Sequence, residues 1–278
     1  MARSSSGIGP CGPTLPAGDS PGIDRIDDGI DVSIVIPCYN QGEFILDAIA
    51  SVEACESVTA LAIEPGIDPG IEPGIEPRPG PRIETIIVND GSTEALTLSV
   101  LAALRRSGYV VIDQVNQGLA AARNTAIAIA QGWAILPLDA DNKIRPVYLE
   151  KGLAILATSP RVGVVYGWAE WFGGATGLWQ VPEFDREAML VQNAIDACAL
   201  FRKQVWLDCG GYDPQLRCLE DWDFWLNAAD RGWRFHCLAE VCFDYRVRDG
   251  SLSDWSDDPD RYWQAADRIR RKYTGPTG

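Results

Sequence analysis

Four short apolar runs, VSIVIP (32–37), RIETIIV (82–88), YVVID (109–113) and WAILPLD (133–139), alternate with stretches of helical spacing, and this alternation constrains the fold more than any other feature. After the first run, Phe44, Ile45, Ala48, Ile49 and Val52 recur at intervals of three and four, which predicts a helix over Glu43 to Cys55. Ala95 to Arg106 and the Ala-rich Leu119 to Gln131 read as the next two helices. Strand–helix alternation of this kind predicts an α/β fold, a mainly parallel sheet flanked by helices on both faces. In such sheets the ligand site lies beyond the carboxyl ends of the strands.

One insertion interrupts the pattern: AIEPGIDPGIEPGIEPRPGPR, residues 62–82. Ile63, Ile67, Ile71 and Ile75 mimic a helical stripe, but Pro at the same period forbids the helix, so an extended, acidic surface loop is expected. The Gly- and Pro-rich residues 1–30 read as a disordered tail, 31–255 as one domain, and 256–278 as a terminal helix and tail. Hydrophobic residues make up 46% of the chain, enough for a core of that size. The 24 Lys+Arg against 39 Asp+Glu leave a net charge of −15, which excludes a nucleic-acid binder held by phosphate contacts. No apolar run approaches the length of a spanning helix and MARSSSGIGPCGP lacks the apolar core of a signal peptide, so a cytoplasmic protein is expected. The eight Cys form no CxxC pair and His236 is the only His. Zinc sites, thioredoxin chemistry and His-based nucleophiles are therefore disfavoured, the cysteines read as reduced core thiols, and carboxylates must carry any acid–base chemistry.

Three strand ends carry candidate chemistry: Pro37-Cys38-Tyr39-Asn40, Asn89-Asp90-Gly91-Ser92 and Asp139-Ala140-Asp141-Asn142. Asp-x-Asp occurs three times, beginning at Asp139, Asp221 and Asp258, so position must decide among them. Asp139 and Asp141, two apart where a strand stops, can share one Mg²⁺ or Mn²⁺ ion; alternatively they are solvated turn residues. Gly118, near a helix start, permits close approach of an anion, and Arg123 one turn later offers a bidentate phosphate donor or a plain surface charge.

Taken in order, VSIVIPCYN (32–40), IIVNDGS (86–92), NQGLAAARN (116–124), LDADN (138–142), GGYD (210–213), LEDWDFW (219–225) and YRVRDGSLS (245–253) make the chain resemble the family 2 glycosyltransferases of the GT-A fold. The resemblance spans about residues 31–255 and implies inverting transfer of a sugar from a nucleotide-activated donor, typically a UDP-sugar, to a hydroxyl acceptor. It implies a nucleotide-sugar half over 31–142 and an acceptor half over 143–255. Residue by residue it implies that Tyr39 lies against the donor base, with Pro37 and Asn40 shaping that pocket, that Asp90 reads the base edge, and that Gly118 and Arg123 face the pyrophosphate. Asp139 and Asp141 match the motif that places donor ribose and metal, Mg²⁺ or Mn²⁺. Asp221 matches the general base, with Glu220 the alternative. Carbohydrate, glycan or glycolipid acceptors, polysaccharide assembly and a peripheral membrane contact follow by analogy. Two departures stand out: Asn89 where the family often has Asp, and no His near Arg248-Asp249.

The chemistry needs a cation to neutralise the leaving diphosphate and a carboxylate on the opposite face to take the acceptor proton. Acidic residues at 220–223 also suit a helix N-terminus, which would lower the pKa of Asp221. Trp168, Trp171 and Trp179 are candidates for stacking on sugars or for core packing. Arg246, Arg248 and Ser251 to Ser253 match a loop that covers the donor in relatives. A sugar nucleotidyltransferase is the main enzymatic rival, though it needs a basic Gly-rich loop where this chain has Cys-Tyr-Asn-Gln-Gly-Glu. A dinucleotide fingerprint at Gly7 to Gly12 fails on its Pro10 and its missing strand. A non-catalytic nucleotide- or sugar-binding module is the alternative from another class.

Overall fold

The computed structural model describes residues 29–56, 80–248 and 259–274. The tail before residue 29, the insertion up to residue 79, Cys11, the Asp-x-Asp at Asp258 and the segment Ser251 to Ser253 lie outside the described residues. Chain order is β1 (Val32–Cys38), α1 (Ile45–Glu56), β2 (Ile83–Asp90), α2 (Ala95–Arg106), β3 (Val110–Gln114), α3 (Leu119–Ile129) and β4 (Ala134–Pro137). There follow β5 (Lys143–Ile144), α4 (Pro146–Thr158), β6 (Val162–Gly173), β7 (Gly177–Trp179), α5 (Arg186–Val191), β8 (Leu200–Arg202), α6 (Lys203–Cys209), α7 (Glu220–Asp230), β9 (Arg234–Val247) and α8 (Pro259–Thr274). The four strands and three helices expected up to residue 139 are all present, with ends displaced by a few residues.

One sheet has the order β3-β2-β1-β4-β8-β6-β9-β5, with β7 added on β6. β1 is its hub, parallel to β2 on one side and to β4 on the other. All seven of its residues are buried, as an unbroken apolar run requires when both faces are covered. Its alternate residues divide the core. Val32, Ile34, Ile36 and Cys38 pack with α1, α2 and α4, whereas Val35 faces a second cluster built from α3, α6, α7 and α8.

Beyond β4 the sheet is mixed. β8 runs antiparallel to β4 and β6, while β6 and β9 pair in parallel through several register shifts. The parallel order read from the sequence therefore holds for β3-β2-β1-β4; the three-residue β8 is too short to announce itself as a period. Pro37 on β1 lacks the N–H that would prolong the ladder with β4, whose last backbone bond to β1 runs from the Leu138 N–H to the Val35 carbonyl at 2.9 Å.

All seven described cysteines are free and buried, and burial pushes Cys38 up to about 11 and Cys55 up to about 12, so both stay thiols. Gly42 shows how closely α2 approaches the turn after β1. A Cβ there would meet the Thr97 Cα at 2.4 Å, and the Gly42 N–H donates to Thr97 Oγ1 at 2.9 Å. Gly42→Ala is expected to lower stability by about 1–3 kcal/mol through overpacking. A thermal midpoint unchanged from wild type would refute that.

Candidate active site

The carboxyl edge gathers what β1, β2 and β4 deliver. Tyr39 follows β1 with its ring 48% exposed. Asn40 has φ +52°, and its side-chain Oδ1 accepts the Thr93 and Glu94 backbone N–H groups at 2.8 and 3.1 Å, so it fixes the turn that leads into α2. Asp90 ends β2, buried, and its carboxylate accepts from Gln114 Nε2 (2.7 Å) and from the backbone N–H groups of Gln117 (2.9 Å) and Gly118 (2.8 Å). It thereby moulds the loop that starts α3. Gly118 needs its φ of +90° there, and its N–H is already given to Asp90. Asn89 donates to Asp113 Oδ1 and accepts from Ser92 N.

Arg123 departs most from expectation. Its side chain is 1% exposed; Nη2 donates to Asp139 Oδ1 at 2.8 Å and Nη1 pairs with Glu220. Burial works against its charge, but Asp139 and Glu220 more than offset that and hold it protonated. Far from presenting a fork to a phosphate, it ties the end of β4 to the start of α7. Glu220, the alternative base, is correspondingly buried and engaged.

Asp141 Oδ2 accepts from Arg248 Nε at 2.8 Å. Burial raises the Asp141 pKa, Asp139 adds to the rise, and Arg248 opposes it. Neighbouring Arg246 donates to the Asp141 carbonyl and lies over the rings of Phe44 and Phe172, at 4.7 and 4.3 Å from their centroids. The Asp221-x-Asp223 pair is split by the helix: Asp223 faces α8, where Lys272 Nζ and Tyr273 Oη donate to it.

Asp221 is half-buried, and its Oδ2 accepts from Asn193 Nδ2 at 2.9 Å. Burial, then the adjacent Glu220 and Asp196, push its pKa up to about 7, against the lowering effect of Arg123 and the Trp222 backbone N–H. The dipole effect expected at a helix start is outweighed. Leu219 just before it has φ +59°, a strained conformation for a branched side chain, costing on the order of 1–3 kcal/mol at the point where α7 is aimed. Gly210 and Gly211, with φ of +77° and +85°, turn the chain out of α6. Two contributors carry no motif: Asn193 and Asp196, from the stretch before β8. An Asp inside the apolar AIDACALF was the available signal.

The description "Glycosyl transferase family 2" fits the chain over residues 33–207. The chain belongs to that family. The putative teichuronic acid biosynthesis glycosyltransferase TuaG of Bacillus subtilis is 26% identical over 245 residues, 84% of this chain and 84% of its own length. An uncharacterized glycosyltransferase of Haemophilus influenzae is 30% identical over 152 residues, 52% of this chain and 51% of the relative. The chain thus spans about half of that relative and 17% of the Pasteurella multocida chondroitin synthase, which it matches at 26% identity over 168 residues, 58% of its own length. Among solved structures, S. aureus TarS in complex with UDP superposes with a TM-score of 0.63 at 18% identity, over 88% of this chain and 65% of TarS. A Pyrobaculum calidifontis mannosyltransferase in complex with GDP-Man and Mn²⁺ gives 0.62 at 17%, over 89% and 65%. The GT-A fold is the shared feature.

A divalent cation fits this family 2 site only with help. Among the described residues no group of three or more His, Cys, Asp or Glu side chains gathers around one point. Asp139 and Asp141 each give one oxygen to an arginine and keep the other, and two carboxylates plus substrate phosphates are an ordinary Mg²⁺ or Mn²⁺ set. Trp168 donates to the Val181 carbonyl at 3.2 Å and Trp179 stands edge-on to Tyr245, while Trp171 is 38% exposed. Among the described residues no helix is long and apolar enough to cross a membrane.

Proposed function

We propose that the chain is an inverting glycosyltransferase moving a sugar from a nucleoside-diphosphate donor, of the UDP-sugar class, to a hydroxyl on a carbohydrate, glycan or glycolipid acceptor. The observation that carries this is Asp221: a half-buried carboxylate whose pKa is pushed up to about 7, oriented by Asn193, at the helix start that Glu220 and Arg123 tie to Asp139. A base is most effective with its pKa near the working pH. As the acceptor oxygen bonds to the anomeric carbon, its proton passes to Asp221 and the nucleoside diphosphate leaves from the opposite face. Tyr39, 48% exposed, offers its ring to the base, and Asp90 moulds the loop that starts α3. Asp139 and Asp141 would hold a divalent cation, which would supply positive charge against the leaving diphosphate. Arg123 is a positioning residue, fixing Asp139 and Glu220 rather than touching phosphate.

Calorimetric titration of UDP with and without Mn²⁺, repeated on Asp141→Ala, tests the donor site. Mn²⁺ alone is expected to bind weakly, to raise UDP affinity tenfold or more in the wild type, and to lose that effect in the variant. Absence of binding by UDP and by GDP in the wild type would overturn the reading.

A further inference from the structure

The loop of residues 193–198 serves the site twice. Asn193 holds Asp221, and three residues later Asp196 lines a small cavity with Tyr166, Trp179, Val181, Cys198 and Phe243. The cavity is about 10 Å³, room for one water-sized group. Aromatic and aliphatic side chains form most of its wall, and Asp196 is its carboxylate. Among the described residues Asp196 has one hydrogen bond, accepted from the Cys198 backbone N–H at 2.8 Å within its own loop, and no salt bridge. The charges that act on it belong to the donor site: Asp139 foremost, then Arg123 and Asp141. Asp221 in turn feels Asp196. The residue therefore feels the charges of the donor carboxylates and Arg123, sits in the loop that holds the base through Asn193, and has one carboxylate oxygen without a hydrogen bond among the described residues.

We propose that Asp196 selects the donor sugar: the cavity takes one hydroxyl of the transferred sugar, whose O–H donates to the Asp196 carboxylate while the surrounding rings pack against sugar C–H groups. This rests on the donor-site reading given above. Size sets one half of the selection, since only a single small substituent enters. Charge sets the other. A uronic acid would bring a further carboxylate beside Asp139, Asp141, Asp196 and Asp221, and repulsion in this partly desolvated place excludes it. Burial and Asp139 push Asp196 up to about 7, and an O–H can donate to it in either protonation state, so recognition of a neutral sugar survives across neutral pH.

The test is titration of the full chain, with Mn²⁺, by UDP, UDP-glucose, UDP-N-acetylglucosamine, UDP-glucuronate, GDP and GDP-mannose, repeated on Asp196→Ala and Asp196→Asn. Affinity for the free nucleotide is expected to stay within twofold in both variants. Affinity for the neutral nucleotide sugar preferred by the wild type should fall tenfold or more in Asp196→Ala and less in Asp196→Asn, whose amide oxygen still accepts. UDP-glucuronate, weak on the wild type, should gain in both. Nucleotide and nucleotide-sugar affinities falling together, sugar affinity unchanged in Asp196→Ala, or a wild-type preference for UDP-glucuronate would overturn the proposal. Failure of every nucleotide to bind the wild type would instead remove the donor site itself, and this proposal with it.

Discussion

Replacing Asp221 by Asn is expected to lower kcat by about 10²- to 10⁴-fold while UDP affinity stays within a few-fold, because general-base removal costs that much and the side chain is not part of the nucleotide pocket. Asn preserves size and still accepts from Asn193, so the geometry of the loop survives. In the wild type, kcat should rise as pH rises through about 7 and then level, since only the ionised carboxylate can take the acceptor proton. The stability effect has the opposite sign. A carboxyl whose pKa is raised by folding from 3.8 to about 7 binds its proton more tightly in the native state. Its contribution is fully present below the unfolded value and is lost as pH climbs through about 7. Asp221→Asn removes that penalty, so the variant should melt higher than the wild type at pH 8 while being nearly inactive. Near-normal turnover, or a variant both inactive and markedly less stable at pH 8, would count against the assigned role.

Those two opposed effects explain what the sequence could and could not reveal at this residue. The acidic start of α7 was legible, as was the likeness that names Asp221 a base, but spacing alone argued for a lowered pKa. Burial decides the outcome, and burial is a property of the packed helix. The same distinction runs through the molecule. β1, β2 and β4 were legible because each is an apolar run with most of its residues buried and closed by a polar turn, and the half-exposed edge strand β3 because its apolar run stands between two helical stretches. β8 was not, because its three residues are held by β4 and β6, neighbours remote in sequence. Asp139 and Asp141 were singled out by their place at a strand end. Asp196 carries no motif, because its loop lies 55 residues or more from its electrostatic partners Asp139 and Asp141. Asn40 and Arg123 were read toward the ligand, whereas their side chains satisfy the protein's own backbone and carboxylates. A sequence shows which groups exist, and the fold decides which of them remain free.

Arg123 gives the sharpest case, and Arg123→Met is expected to cost about 3–5 kcal/mol, a fall in Tm on the order of 10 °C. The cost does not come from losing an attraction of that size. It comes from stranding Glu220, 4% exposed, and the partly covered Asp139 without their shared cation. Lysine should not rescue, since one ammonium on a flexible stem cannot reproduce two guanidinium contacts to carboxylates on different elements. Arg123 already tolerates a buried Nε with no hydrogen-bond partner among the described residues, its guanidinium lying 5.7 Å from the Tyr212 ring centroid. Its retention in so confined a place follows from the two bonds it does make. If the penalty is the stranded charge, Arg123→Met combined with Glu220→Gln should recover part of the lost stability, because the more deeply buried anion is then gone. Activity should not return with it, as Asp139 is still unanchored and the start of α7 is no longer tied to the end of β4. Thermal unfolding of the single and double variants, read beside UDP–Mn²⁺ affinity, separates the two effects. A single variant within about 1 kcal/mol of wild type, or a double variant no more stable than the single, would show that the guanidinium is not what holds these two halves of the site together.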